Sequence, residues 1–95
     1  MYDTRLLPPV AKFIKKIKNK HLKSDILNAI NEIAKDPSIG EAKTGDLQGI
    51  FCYDVYYDKT NYEIAYQIIE LPEKIVVVIL AGTRENFYEQ LKRYL

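Results

Sequence analysis

The sequence predicts a single small α+β domain in which helices pack on one face of a largely antiparallel sheet. The main observation is that hydrophobic residues recur at helical spacing in the first third of the chain, alternate in the middle, and return to helical spacing after Gly82. Length is the second observation, because 95 residues leave room for only one core, so residues 1–95 are treated as one domain. The third is composition, with 47% hydrophobic and 28% charged residues, as in globular proteins. The predicted order of elements is β-α-α-β-β-β-α.

A short strand and two helices are predicted for the N-terminal third. Residues 2–7 stop at Pro8, and a residue before proline favours extended geometry, so they predict a strand. From Pro9 onwards, the apolar positions with helical spacing are Val10, Phe13, Ile14 and Ile17. A second set with helical spacing is Leu22, Ile26, Ile30 and Ile33. This second pattern ends before Pro37, and Asn19 joins the two amphipathic helices into a predicted hairpin.

The middle of the chain predicts a loop followed by a β-hairpin. Residues 39–48 contain two glycines and no sustained period, which is typical of a loop. Alternating side chains over residues 51–57 and 62–68 predict two paired strands. The turn between them is expected from Asp58 to Asn61.

A buried strand and a final helix are predicted for the C-terminal part. Residues 75–81 lack alternation, which indicates a strand covered on both faces and therefore central in the sheet. Thr83 is a candidate N-cap for the closing helix. That helix would bury Phe87, Leu91 and either Tyr94 or Leu95 at helical spacing.

Charge is unevenly distributed, although the net charge is only +1. Residues 1–35 carry eight basic and three acidic side chains, whereas residues 36–74 carry three basic and eight acidic ones. Because local potential steers a charged partner, the basic part can attract a polyanion, such as RNA or the ribosome, or an acidic protein tail. The lysines assigned to this contact are Lys12, Lys15, Lys16, Lys18, Lys20 and Lys23. The alternative is an ordinary solvated helix face.

The sequence offers little for a disulfide, a metal site or a membrane segment. Cys52 is the one cysteine and His21 the one histidine, so neither a disulfide nor a zinc site is expected. Asp54, Asp58 and Glu63 have a spacing compatible with a metal cluster, but solvated strands often share it, and no cofactor is predicted. No stretch approaches the roughly 20 apolar residues that cross a bilayer, and the charged start is unlike a signal peptide. The expected location is therefore the cytoplasm.

The C-terminal residues suit metal-free RNA cleavage. Cleavage through the ribose 2′-hydroxyl needs a base for its proton, cations for the phosphate and an acid for the leaving oxygen. Arg84, Tyr88 and Lys92 recur every four residues, which places them on one face of the predicted helix. Lys92 is assigned, like the lysines of the helical hairpin, to RNA or ribosome binding. Arg84 can hold a phosphate with two hydrogen bonds, and Tyr88 can act as base if neighbouring cations favour its phenolate. The simpler alternatives are a surface ion pair for Arg84, packing at the core edge for Tyr88 and a helix-dipole interaction for Lys92.

Five strings, in this order and spacing, resemble the RelE/ParE family of toxins from type II toxin–antitoxin systems. They are YDTRLLPPVAKFIKKI, INEIAKDP, KTGDLQGIFCYDVYY, NYEIAYQI and VVVILAGTRENFYEQLKRYL, and together they span nearly the whole chain. The resemblance implies the same α+β fold and a cognate antitoxin as partner. Within this superfamily, RelE-like members cut messenger RNA in the ribosomal A site, whereas ParE-like members inhibit DNA gyrase.

The resemblance also implies roles for three residues. Arg84 falls on an arginine that follows the last strand, and Tyr88 falls on the tyrosine of the final helix; both are implicated in cleavage by RelE-like nucleases. Lys43 resembles a lysine in a basic pair ahead of the second strand. Gly45 and Asp46 stand where the second member of that pair is expected.

Two acidic residues depart further from the family pattern. Glu63 and Asp58 stand where many relatives carry arginine, and an acidic side chain in a phosphate site repels the substrate. The expected function is nevertheless a ribosome-dependent, metal-independent messenger RNA endoribonuclease that uses Arg84, Tyr88 and Lys43 and is neutralised by its antitoxin. The alternatives are a gyrase inhibitor that acts by binding, and a degenerate member that only binds an antitoxin.

Overall fold

A computed structural model describes residues 1–95 as five strands and three helices. The strands are β1 (Asp3–Leu6), β2 (Glu41–Ala42), β3 (Phe51–Tyr57), β4 (Thr60–Ile69) and β5 (Ile75–Thr83). The helices are α1 (Pro8–Lys16), α2 (Lys20–Lys35) and α3 (Phe87–Lys92), and single 3₁₀ turns cover Pro37–Ile39 and Gly45–Leu47. None of the helices has the length and apolar character that spanning a membrane requires.

The five strands form one mixed sheet in the order β1-β5-β4-β3-β2. Only the pairing of β1 with β5 is parallel, and the other three pairings are antiparallel. The prediction of a small α+β domain with a largely antiparallel sheet is therefore confirmed. Strand β2 lies inside the segment that was predicted to be a loop, because Glu41 and Ala42 pair with the first residues of β3.

Apolar side chains form two clusters, one on each face of the sheet. Ile64 and Tyr66 point to the cluster that α1 and α2 cover, whereas Ala65 between them points to the cluster that α3 covers. The expectation that all helices share one face is therefore wrong for α3. Strand β5 is covered on both faces, as its lack of alternation predicts, and Val76 packs with the first cluster and Leu80 with the second.

The helical hairpin begins with a capped second helix. The side-chain oxygen of Asn19 accepts hydrogen bonds from the backbone N–H groups of His21 (2.9 Å) and Leu22 (3.1 Å). These donors have no partner within the helix, so Asn19 fixes the start of α2. Proline occupies the first turn of α1, where a missing N–H costs nothing.

The closing helix is shorter than predicted and starts later. It ends at Lys92, so Tyr94 and Leu95 lie beyond it and are exposed, and the prediction that one of them is buried is wrong. Pairing with β4 continues β5 through Thr83, which faces Tyr62, so Thr83 ends a strand and does not cap a helix. The chain then turns through Asn86 in the left-handed conformation (φ 56°) before α3 begins at Phe87. Arg84 therefore lies in the connection between β5 and α3, and its predicted place on one helical face with Tyr88 and Lys92 is wrong.

A buried tyrosine holds the connection that leads to β2. The Tyr66 hydroxyl donates to the Pro37 carbonyl (2.6 Å) and accepts from the Gly40 backbone N–H (3.0 Å). A Cβ atom at Gly40 would overlap that hydroxyl, so only glycine fits there without a shift. This contact joins the centre of the sheet to the segment that carries Lys43.

Candidate functional site

Four polar side chains from distant parts of the chain meet on the face of the sheet that α3 covers. Lys43 follows β2, Glu63 lies on β4, Arg84 follows β5, and Tyr88 belongs to α3. The Lys43 Nζ atom is 5.3 Å from the centroid of the Tyr88 ring, and the Tyr88 hydroxyl donates to Glu63 Oε1 at 2.8 Å. The three residues proposed from the sequence, Lys43, Arg84 and Tyr88, are thus brought together around Glu63.

Glu63 is the one buried charged residue of the chain, with 1% of its surface exposed. Its Oε1 atom accepts the Tyr88 hydrogen bond, whereas its Oε2 atom is buried without a hydrogen-bond partner. The nearest cation is the Nε atom of Arg84, 4.0 Å from Oε2, and the Arg84 side chain is 65% exposed. Alternation along β4 places Glu63 on the same face as Ala65, beneath the connection to α3.

The Tyr88 phenol is held in its protonated form. Burial raises its pKa above the ordinary value of 10.0, and the hydrogen bond to the Glu63 carboxylate raises it further. The neighbouring Lys43 ammonium acts in the opposite direction but does not reverse the shift. The condition under which Tyr88 alone would act as a base, a phenolate favoured by cations, is therefore not met in the free chain.

Lys43 is held as a cation. Its Nζ atom lies 2.6 Å from Glu41 Oε1, and this contact raises the pKa of Lys43 well above its ordinary range. The same contact lowers the pKa of Glu41. Lys43 therefore provides a positive charge beside the Tyr88 ring and is not a base at neutral pH.

Lys92 lies on α3 one helical turn beyond Tyr88, but it faces a different partner. Its Nζ atom is 3.6 Å from Asp46 Oδ2, an exposed contact that joins α3 to the 3₁₀ turn before β3. The sequence suggested a role for Lys92 in RNA binding. That role stays a prediction, and the exposed ion pair with Asp46 contributes only about 0–1 kcal/mol to holding α3 against the loop.

The lysines assigned to polyanion contact lie on or beside the helical hairpin, away from Glu63. Lys12, Lys15 and Lys16 belong to α1, Lys18 to the connection, and Lys20 and Lys23 to α2. None of them forms an ion pair. Lys12 and Lys16 line an open cleft of about 400 Å³ between α1 and the C-terminal segment, together with Thr83, Glu85 and Tyr94.

The remaining candidates take structural positions. Cys52 is free and buried, and burial raises the pKa of its thiol to about 11. His21 is exposed at the first turn of α2. No group of three or more His, Cys, Asp or Glu side chains is arranged to hold a metal ion.

Sequence reasoning recognised Glu63 as a departure from the family pattern but not as the centre of the site. Its burial depends on α3 and on the connection after β5, which no short string reveals. One signal was present, because Glu63 directly precedes the apolar pair Ile64-Ala65 in a strand whose middle is buried. Nothing in the sequence indicated that Glu41 contacts Lys43, because this contact depends on strand β2, which was not predicted.

Comparisons with known proteins agree with this fold. The model of a family described as ParE-like toxins of type II bacterial toxin–antitoxin systems matches residues 5–92. A variant of the E. coli toxin RelE in the free state is similar over 99% of this chain and 98% of its own, with 21% identity and a TM-score of 0.73. No curated protein matches the chain.

Two toxin–antitoxin complexes are also similar. A chain of a RelBE complex from Mycobacterium tuberculosis has 19% identity and a TM-score of 0.72, covering 87% of this chain and 98% of its own. A chain of the intact E. coli RelBE complex has 21% identity and a TM-score of 0.67, covering 86% of this chain and 95% of its own. At these identities the structures show a shared fold, whereas the family model spans nearly the whole sequence. The chain therefore belongs to the ParE-like toxins of type II bacterial toxin–antitoxin systems.

Proposed function

We propose that this toxin is an endoribonuclease that cuts messenger RNA on the ribosome and is neutralised by a cognate antitoxin. The observation that carries the proposal is the convergence of Lys43, Arg84 and Tyr88 from three separate segments. Two cations at one surface, beside a phenol, can stabilise the charge that develops on phosphate during cleavage through the ribose 2′-hydroxyl without a metal. The proposal takes residues 1–95 as one functional unit, acting in the cytoplasm where ribosomes and messenger RNA are found.

The cations have the properties that a phosphate site needs. Arg84 makes only a long contact with Glu63 and is mostly exposed, so its guanidinium is free to bind a phosphate with two hydrogen bonds. Lys43 is protonated in the free chain and adds a point charge beside the Tyr88 ring. Charge that develops on the phosphate oxygens is then stabilised by two cations.

The helical hairpin supplies the longer-range attraction in this proposal. Six lysines without acidic partners lie on or beside α1 and α2, five of them exposed and Lys23 half-buried. Each phosphate that one of them neutralises releases counterions. Contacts of this kind position a protein on RNA without reading its sequence. Binding to ribosomes should therefore weaken steeply as salt is raised.

A cognate antitoxin is the second partner in the proposal. Two of the similar solved structures are toxin–antitoxin complexes, and another is a RelE variant with a peptide of its antitoxin. The uncovered edges β1 and β2 and the cleft beside α1 leave surface on this chain for such a partner.

The test is primer extension on a defined messenger RNA incubated with purified ribosomes and the wild-type chain. Arg84→Ala should lower the cleavage rate by about 10²- to 10³-fold, the usual cost of losing a group that stabilises transition-state charge. Arg93→Ala removes an exposed arginine at the end of α3 and is the matched control, expected to cleave as the wild type does. Intact messenger RNA with wild-type protein, or equal cleavage by Arg84→Ala, would contradict the proposal.

One observation favours a second candidate, a gyrase inhibitor that acts by binding. Glu63 and Glu41 place carboxylates against Tyr88 and Lys43, which weakens the case for phosphate chemistry. This candidate predicts cleaved DNA trapped with gyrase in the presence of the toxin and no cuts in messenger RNA. A degenerate member that only binds its antitoxin predicts neither result and no growth arrest when the folded chain is produced.

A further inference from the structure

The site gathers the cations that phosphate cleavage needs but leaves the base unassigned. Tyr88 is a neutral phenol and Lys43 is a cation, so neither takes a proton directly at neutral pH. His21 is far away at the start of α2. Two carboxylates contact these proton-carrying side chains. Glu41 contacts Lys43 and is exposed, whereas Glu63 accepts the hydrogen bond from Tyr88. The group that remains as a proton acceptor is therefore the carboxylate of Glu63.

Glu63 is placed to act through Tyr88 and not on the substrate itself. Its side chain is 2% exposed, so an RNA ribose cannot reach its oxygens without displacing Tyr88 or Arg84. The Tyr88 hydroxyl donates to Oε1 at 2.8 Å, and Tyr88 itself is only half-buried, whereas Glu63 is buried. A phenol in this position can accept a proton on its oxygen while it passes its own hydrogen to the carboxylate behind it.

We propose that Glu63 is the acceptor of the proton lost by the attacking 2′-hydroxyl, with Tyr88 as the relay between them. This inference rests on the proposed nuclease function and assigns the base that the other residues do not provide. It also gives a role to an acidic side chain at a position where the family resemblance implies arginine. Glu63 is a positioning residue in this scheme, because it acts only through Tyr88.

The step balances with the groups that are present. The 2′-oxygen forms a bond to phosphorus while its proton moves to the Tyr88 oxygen and the phenol proton moves to Glu63 Oε1. The bond from phosphorus to the 5′-oxygen breaks, and the leaving oxygen takes a proton from the Lys43 ammonium. The products are a 2′,3′-cyclic phosphate and a 5′-hydroxyl, and solvent then carries the proton from Glu63 back to Lys43.

Charged and titratable groups surround Glu63 from every element packed against it. They are Asp54 opposite it on β3, Cys52 on the same strand, Lys43 after β2, Arg84 after β5 and Tyr88 on α3. Arg84 lies beside Oε2, the oxygen that does not contact Tyr88. Oε2 therefore faces a cation, whereas Oε1 accepts a hydrogen bond from a proton donor.

The first measurement is single-turnover cleavage of ribosome-bound messenger RNA by Glu63→Gln between pH 6 and pH 9. Glutamine keeps the shape and an oxygen that accepts from Tyr88, but it does not take up a proton at these pH values. We expect a loss of about 10²- to 10⁴-fold at neutral pH, the usual contribution of a general base. The remaining rate should rise about tenfold per pH unit as hydroxide takes over, so its pH profile should differ from that of the wild type. Glu63→Asp should recover part of the loss, and Glu73→Gln, on an exposed loop, is the matched control.

The second measurement follows the ionisation of Tyr88 without any substrate. Alkaline titration of phenolate absorbance, as the difference between each protein and its Tyr88→Phe counterpart, isolates this one tyrosine among eight. Loss of the negative carboxylate in Glu63→Gln should lower the pKa of Tyr88, because the neutral phenol is no longer favoured. Thermal unfolding of each variant shows whether it is folded.

The outcomes separate the inference from the proposed function. If the wild type makes no cuts, the nuclease proposal fails and the relay fails with it. If the wild type cuts and a folded Glu63→Gln cuts within about threefold of it with the same pH profile, only the relay is overturned. Loss of activity with an unchanged Tyr88 titration also overturns it, because the contact that carries the proton would then be absent.

Discussion

Replacing Tyr66 with phenylalanine tests whether one buried hydroxyl holds the segment that carries Lys43. The Tyr66 side chain is fully buried beneath α2, and its hydroxyl bridges the Pro37 carbonyl and the Gly40 N–H. Phenylalanine fills the same volume, so the change removes two hydrogen bonds without opening a large cavity. The affected segment runs from the end of α2 into β2 and then to Lys43.

The expected loss follows from the two bonds. Each contributes about 0.5–1.5 kcal/mol net, and a buried carbonyl left without a donor adds to the cost, whereas the half-buried Gly40 N–H can recover a bond to water. We therefore expect Tyr66→Phe to lower the free energy of unfolding by about 2 kcal/mol. For a domain of this size, that corresponds to a fall in Tm of roughly 8–16 °C.

The assay is equilibrium urea unfolding followed by circular dichroism, with thermal unfolding as a second measure. Tyr56→Phe is the matched control, since its side chain is 71% exposed and its hydroxyl has no partner in the chain. That variant should stay within about 0.5 kcal/mol of the wild type. Gly40→Ala addresses the same contact from the other side, because its Cβ would displace the Tyr66 hydroxyl, and it should also destabilise.

A loss smaller than about 0.5 kcal/mol for Tyr66→Phe would refute this reasoning, since it would mean that the hydroxyl gains nothing from its two partners. The consequence for function is a looser placement of Lys43. If the nuclease proposal holds, Tyr66→Phe should lower the cleavage rate even under conditions in which the variant is fully folded.

Two further predictions concern stability. Asn19→Ala removes the acceptor for two backbone N–H groups at the start of α2, so it should lower the free energy of unfolding in urea by about 1 kcal/mol. Asn19→Ser should keep most of the cap, because serine also accepts these hydrogen bonds. Equal losses for both variants would argue against capping. Burial raises the pKa of the Cys52 thiol from 9.0 to about 11, so between these pH values the unfolded chain binds fewer protons than the folded one and stability should fall as pH rises. Cys52→Ala should flatten that part of the stability curve, and an unchanged slope would show that the thiol does not titrate differently in the two states.

Local pattern was sufficient for most of the architecture. Helical spacing predicts α1 and α2, alternation predicts β3 and β4, and the absence of alternation predicts that β5 is covered on both faces. These patterns are reliable because each depends on how neighbouring residues of one segment share a face. The ordered set of strings likewise indicates the superfamily, because it spans nearly the whole chain.

The predictions that were wrong concern features that depend on pairing between distant segments of the chain. Strand β2 exists because Glu41 and Ala42 find partners on β3, and β5 runs past Gly82 because β4 continues to pair with it. Because β5 is longer than predicted, Arg84 lies in the connection before α3 and not on the helix. It nevertheless lies beside Glu63, which accepts the hydrogen bond from Tyr88.

The chemical state of the site was decided only by tertiary structure. From the sequence, the resemblance to the family implies that a lysine, an arginine and a tyrosine belong to one site. It also identifies Glu63 as a departure from the family pattern. Whether Tyr88 is a phenolate or a phenol depends on the burial of both residues and on a hydrogen bond between positions 25 residues apart. A pKa is set by the atoms around a group in space, and for Tyr88 those atoms come from β4 and from the segment that follows β2.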